Sequence, residues 1–244
     1  MKGIKLIKNA FVILLGTAGI ILPNMTRGRW FAIAVSCIPI YFLFRYPSLK
    51  LGMTYWVMSM VLHYTVLFGT FTKGGFKEFW LRTNRTKEEA YRKFEAWLSF
   101  AFFHNGIAFS YLYYTSMHEL DFTYSYAYWI MGFGIALQVI GFIIKFWASW
   151  QIGLAIYYYK DMFVEEKVID FKSKGIFRYM SNPLYGWGQL NGYGAALYAF
   201  SWYGIVAVLI NQICFYCFYY TLEKPFVKRF YAAPNAIHVA SFTA

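Results

Sequence analysis

Charge is scarce in this sequence: Asp, Glu, Lys and Arg make up 14% of its 244 residues, against about 25% in an average soluble domain. So few charged groups cannot solvate the whole surface of a protein this size, which excludes an ordinary water-soluble domain. Cysteine is equally sparse. The three present, Cys37, Cys214 and Cys217, all fall in apolar stretches and imply neither a disulfide framework nor an oxidising compartment. The Cys-x-x-Cys spacing of the last two has no second pair beside it, so inert thiols are expected and no metal site. Short catalytic motifs are missing as well. There is no His-Glu-x-x-His, Walker loop, Gly-x-Ser-x-Gly or Asp-x-Asp pair, so zinc proteolysis, nucleotide hydrolysis and serine hydrolase chemistry have no support. Internal repeats and low-complexity tracts are absent too.

Apolar residues fill the gap. They account for 59% of the chain, and aromatics for 24%, which marks an integral membrane protein. The net charge of +12 is spread over short loops between apolar runs. There it sets topology and meets anionic lipid headgroups, so nucleic acid is not an expected partner. The start, Met1 to Lys8 and then an apolar stretch, superficially resembles a signal peptide. No convincing cleavage site precedes Pro23, so it is expected to be retained.

In order along the chain, Asn9 to Pro23 is 15 residues, short of the roughly 20 a span needs, and reads as a half-inserted or re-entrant helix. Trp30 to Tyr46 and Leu51 to Gly69 are spans. Lys73 to Lys93 holds seven Lys or Arg and three Glu; its helical part, Thr86 to Phe94, is expected to lie on the membrane surface. Phe94 to Thr115 spans again. The loop Ser116 to Thr123 carries Glu119 and Asp121 without Lys or Arg, which puts it away from the cytoplasm. Tyr124 to Trp147 returns, with a continuation through Tyr159 left open, and Lys160 to Met180 is basic and cytoplasmic. Pro183 to Leu222 reads as a hairpin of two spans broken near Ser201 to Gly204. The predicted fold is an all-α polytopic transmembrane bundle of about six or seven membrane helices, the last four forming a catalytic core. The expected divisions are residues 1–93, a core at 94–231 and a disordered tail at 232–244.

Polar residues near the spans are the candidates for chemistry, because they are costly there. Asn182 before Pro183 has the form of a helix cap followed by proline at the first helical position. Such an N-terminus suits a carboxylate or phosphate. Glu223 ends the last apolar run, either as a functional carboxylate or as a helix-end charge paired with a neighbour. Asp161, Glu165 and Glu166 open the basic loop, where a solvated charge run is the plain alternative. His63 and His104 read as interhelical hydrogen-bonding groups. Tyr157 to Tyr159 and Trp187 form either an interfacial aromatic belt or walls for a sulfonium or methylated amine, each contact worth about 0.5–2 kcal/mol.

Four pieces stand in order: Lys160-Asp161-Met162-Phe163, Asn182-Pro183-Leu184-Tyr185, Asn191-Gly192-Tyr193-Gly194 and Glu223-Lys224-Pro225-Phe226, with Tyr231 closing. In identity and interval this pattern resembles the phosphatidylethanolamine N-methyltransferase family of membrane phospholipid methyltransferases, over about Gly153 to Tyr231. Two positions depart: Lys224 replaces the second acid of a Glu-Glu pair, and bulky Ile156 and Tyr157 follow the retained Gly153. Isoprenylcysteine carboxyl methyltransferases, with Arg-His-Pro-x-Tyr in place of Ser181 to Tyr185, rank second. NADPH-dependent membrane sterol reductases, to which Gly175 to Ser181 is similar, rank third. The resemblance implies S-adenosylmethionine as methyl donor, held by Gly153, Tyr158, Asn182, Pro183, Tyr185 and Glu223. It implies Asp161 as the group that takes the amine proton, with Glu165 and Glu166 as alternates. The acceptor is a phospholipid entering from the bilayer, at the cytoplasmic face of the endoplasmic reticulum or of a bacterial inner membrane.

Overall fold

The computed structural model describes residues 2–120, 124–166, 175–180 and 182–231. The loop end 121–123, the basic residues 167–174, Ser181 and the tail 232–244 lie outside the described residues. The described chain is helical, without a strand among its elements. The main helices are α1 (Lys2–Thr17), α2 (Arg27–Arg45), α3 (Leu49–Phe71), α4 (Phe76–Thr83), α5 (Lys87–Thr115) and α6 (Tyr124–Tyr157). After them come α7 (Lys160–Val164), α8 (Leu190–Tyr198), α9 (Trp202–Phe218) and α10 (Lys224–Tyr231).

Local chemistry sets several boundaries. Thr26, Thr86 and Ser201 each accept a hydrogen bond from the backbone N–H three residues on, capping α2, α5 and α9. Among the described residues, four segments are long and apolar enough to cross a membrane: Arg27–Arg45, Leu49–Phe71, Tyr126–Val164 and Trp202–Tyr231. α1, at 16 residues, and α8, at 9, fall short of the length a span requires. The first arm of the expected hairpin is a turn, a 3-10 segment and a short helix rather than one continuous helix. The surface helix and the span expected to meet at Phe94 are instead one helix of 29 residues. No Gly or Pro interrupts Lys87 to Asn105, and the charged first turns simply continue into the apolar part. The short charged helix α4 precedes α5 as a separate element.

Aromatic packing joins these helices at one end. The Phe94 and Phe163 rings stack at 5.3 Å, tying α5 to α7, and Phe71 packs edge-on against both Phe94 and Tyr159. α6 and α8 cross at van der Waals closeness. A side chain at Gly141 would collide with the Asn191 backbone, and one at Gly194 with that of Gln138.

The two ends of the bundle are chemically distinct. At one, Lys77 pairs with Glu165 at 2.8 Å, Lys87 with Glu166 at 2.9 Å and Lys160 with Glu88 at 2.8 Å. At the other, the His118 and Leu120 N–H groups donate to the Ala199 and Phe200 carbonyls at 3.0 and 2.9 Å. Single cysteines at positions 85 and 229 should therefore be labelled from one side of the membrane and at position 119 from the other. Labelling of 85 and 119 from the same side contradicts this topology.

Candidate active site

The site forms where α6, the turn before α8 and the end of α9 meet. Gly153 interrupts α6 with φ +73° and ψ 164°, a backbone conformation essentially restricted to glycine. The chain leaves the straight helix there. A second break follows at Tyr159, which is left-handed at φ 54°, and the short α7 swings Asp161 inward. Asp161 is buried. Its Oδ1 accepts from the Met162 N–H at 2.9 Å and its Oδ2 from the Tyr231 hydroxyl at 3.0 Å.

Asn182 and Pro183 do not begin a helix. The Asn182 Oδ1 accepts from the Tyr185 N–H at 3.2 Å, and the Gly186 and Gly188 N–H groups bond back to the carbonyls of Asn182 and Pro183. This folds 182–186 into a turn, followed by a short 3-10 segment, Trp187–Gln189, before α8 begins at Leu190. The Asn182 cap bond and the Gly186 i to i+4 bond are those of a normal first turn. The Gly188 bond to Pro183 is one residue wider and Gly186 leaves helical geometry at ψ −101°, so the regular helix starts only at Leu190 rather than at the expected Pro183.

α9 ends in a π-helical turn, Tyr219–Glu223, continuous with α10. Pro225 has no N–H to give to this stretch, and a widened turn absorbs the missing bond. The half-buried Glu223 accepts from the Tyr185 hydroxyl at 2.8 Å. The Tyr159 and Tyr185 hydroxyls are 2.7 Å apart. With the Tyr185 proton committed to Glu223, Tyr159 is the donor to Tyr185. The Tyr185 ring stacks on Phe215 at 5.1 Å, and the Gln212 Nε2 donates to the Tyr185 carbonyl at 3.1 Å. Asn182, Tyr185 and Glu223 are thus one hydrogen-bonded unit, with Pro183 in its turn. Tyr159 links that unit to the segment carrying Asp161.

A groove of about 560 Å³ opens beside this unit, walled by Asn182, Trp187, Tyr193, Tyr216, Tyr219 and Tyr220, among others. This is where the structure puts an aromatic surface able to face a cation. Of the residues expected to form either an interfacial belt or such walls, Trp187 lines the groove, whereas Tyr157 and Tyr158 pack into the core, Tyr157 against Phe102 and Tyr158 beneath α1. The Tyr158 hydroxyl donates to the Gly16 carbonyl at 2.7 Å. Glu165 and Glu166 stand at the rim in their pairs with Lys77 and Lys87. The Lys77 hydrogen bond holds the Glu165 carboxyl below its ordinary value, which makes it a weaker base. Gly153 acts through its backbone alone. The groove residues Tyr193, Gln212, Tyr216 and Tyr219 were not singled out from sequence as site residues, although the run Phe215 to Tyr220 is almost wholly aromatic.

His104 bonds the Tyr55 hydroxyl at 2.8 Å and the Ser36 hydroxyl at 3.2 Å, an interhelical role as expected. His63 departs from that expectation. It is buried among the rings of Tyr64, Phe102 and Phe215, and neither ring nitrogen has a hydrogen-bond partner among the described residues.

Fold and site describe an all-helical membrane protein whose last helices gather carboxylate, amide and phenol groups at one end of the bundle. Over residues 129–234 the chain matches the phospholipid methyltransferase family, which bears out the resemblance seen in its motifs. The matched stretch runs from within α6 through α10 and contains every residue of the hydrogen-bonded unit. No curated protein and no solved structure matches the chain.

Proposed function

We propose that the protein is an S-adenosylmethionine-dependent phospholipid N-methyltransferase acting on the amine of phosphatidylethanolamine or its mono- and dimethyl derivatives. The observation that carries the reading is the unit Asn182–Tyr185–Glu223, joined through Tyr159 to the segment where buried Asp161 pairs with Tyr231, all within the matched region.

The donor set fits a methionine-type zwitterion. Glu223 spends Oε2 on Tyr185, and its other oxygen makes no hydrogen bond to a described residue, leaving it for an ammonium group. Asn182 spends its carbonyl oxygen on the turn, leaving its NH₂ for a carboxylate. The tyrosines and Trp187 of the groove suit a cationic sulfonium, which when bound supplies an electrophilic methyl group.

On the acceptor side the amine must be neutral to act as nucleophile. Asp161 is the group assigned to hold its proton, and the Tyr231 hydroxyl fixes the orientation of that carboxylate. No covalent intermediate with the chain is needed, so positioning supplies most of the rate. The basic residues around α4, α7 and α10 support, through the positive-inside rule, a site at the cytoplasmic leaflet near anionic headgroups. Calorimetric titration of the protein in detergent tests the donor. S-adenosylmethionine should bind and NADPH should give no heat; the reverse result rejects the methyltransferase reading in favour of a reductase.

A further inference from the structure

We propose that a second cavity, inside the helix bundle, binds the phosphodiester of a membrane lipid through Lys145. This lysine lies within the apolar segment Tyr126–Val164, where an ammonium group is costly without a partner. Its carbonyl accepts from the Ser149 hydroxyl at 2.8 Å, but among the described residues its ammonium makes neither an ion pair nor a hydrogen bond. It lines a cavity of about 470 Å³ together with Asn105, Gln138, Gln189, Asn191 and Asn211, and no carboxylate is on that wall.

The Asn211 oxygen is held by the Tyr64 hydroxyl at 2.9 Å, but the amide NH₂ donors there are weakly engaged. Asn191 donates to the Gln138 carbonyl at 3.3 Å, Gln189 to the Leu184 carbonyl at 3.3 Å, Asn211 to the Gln189 oxygen at 3.4 Å, and Asn105 only to the Met60 sulfur at 3.4 Å. Bonds this long yield readily to a charged oxygen acceptor. One cation, several displaceable amide donors and no competing acid select an anion.

The way in selects a lipid. Gly106, Ser110 and Tyr114, also on the wall, are exposed along one face of α5 on the flank of the bundle, and a side chain at Gly106 would meet open space. The mouth therefore faces sideways, toward acyl chains. The segment Trp187–Gln189 divides this cavity from the active-site groove: Trp187 lines the groove and Gln189 the cavity. The occupant is either the acceptor phospholipid held by its phosphate or another anionic phospholipid; the chemistry at Lys145 is the same.

Native mass spectrometry of the full-length protein in detergent, with no methyl donor present, reads this directly and independently of methyl transfer. The probes are phosphatidylglycerol, phosphatidylethanolamine and diacylglycerol, which lacks the phosphate. Wild type and Lys145→Arg should retain a phosphodiester lipid. Lys145→Met should lose about tenfold in retention, the effect of one charge-assisted hydrogen bond, and diacylglycerol should not be held by any form. Gln138→Leu should show a smaller loss, and it carries the test if Lys145→Met does not fold. Displacement of phosphatidylglycerol by phosphatidylethanolamine, with a raised KM for the acceptor in Lys145→Met, makes the acceptor the occupant. Retention indifferent to phosphatidylethanolamine, with an unchanged KM, makes it a separate anionic lipid. Retention by the folded variants equal to wild type, or diacylglycerol held as well as phosphatidylglycerol, overturns the proposal.

Discussion

Replacing Glu223 by Gln should weaken S-adenosylmethionine binding by about 1.5–3 kcal/mol, roughly ten- to a hundredfold in Kd, the usual cost of losing a hydrogen bond to a charged group. The substitution preserves size, and the amide oxygen can still accept from Tyr185, so the fold around the π-helical turn should survive. Only the charge is lost. Tyr185→Phe removes the 2.8 Å bond that aims the carboxylate and should cost less, about 1 kcal/mol, because the charge remains. The order of the two effects is the informative part. If Glu223→Gln binds as wild type while folded, Glu223 is a helix-end charge held by Tyr185, and the donor site lies elsewhere.

The second large effect concerns Asp161. Asp161→Asn should lower kcat by about 10²–10⁴-fold, the range for loss of a general base, with donor affinity nearly unchanged. Asparagine can still accept from Tyr231 and from the Met162 N–H, so the buried pair should persist. Because solvent can deprotonate the amine at high pH, the remaining activity should rise steeply with pH where wild type levels off. Glu165→Gln should have a small effect, since that carboxylate is already engaged by Lys77 at 2.8 Å. Wild-type turnover in Asp161→Asn together with loss of turnover in Glu165→Gln would transfer the proton-accepting role to Glu165.

Much of this molecule is legible in its sequence, and the failures share one cause. α2 and α3 were expected at Trp30 to Tyr46 and Leu51 to Gly69 and lie at Arg27–Arg45 and Leu49–Phe71. Long apolar runs bounded by Arg, Pro and Lys admit few alternatives. The meeting of Asp161, Asn182 and Glu223 at one end was also legible, because the chain must return to the same face after each pair of apolar segments. What was not legible depends on neighbours. Whether Tyr157 and Tyr158 face lipid, ligand or core is decided by Phe102 of α5 and by α1, whose Gly16 carbonyl takes the Tyr158 hydroxyl; no local pattern encodes that. Asn-Pro is an adequate helix start in isolation, but Gly186 leaves helical geometry and the regular helix starts only at Leu190. The π-helical turn at Tyr219–Glu223 has a sequence signal, Pro225 inside a helical run, though its register becomes evident only in three dimensions.

The most direct test of the account is the fate of the transferred methyl group. Membranes containing the protein are incubated with S-adenosylmethionine labelled in its methyl group, and the lipids are extracted and separated. The account predicts label in the mono-, di- or trimethylated headgroups of phosphatidylethanolamine, stable to mild base, and absent with Asp161→Asn or Glu223→Gln. Label confined to base-labile methyl esters, or no label in any phospholipid headgroup, would contradict it.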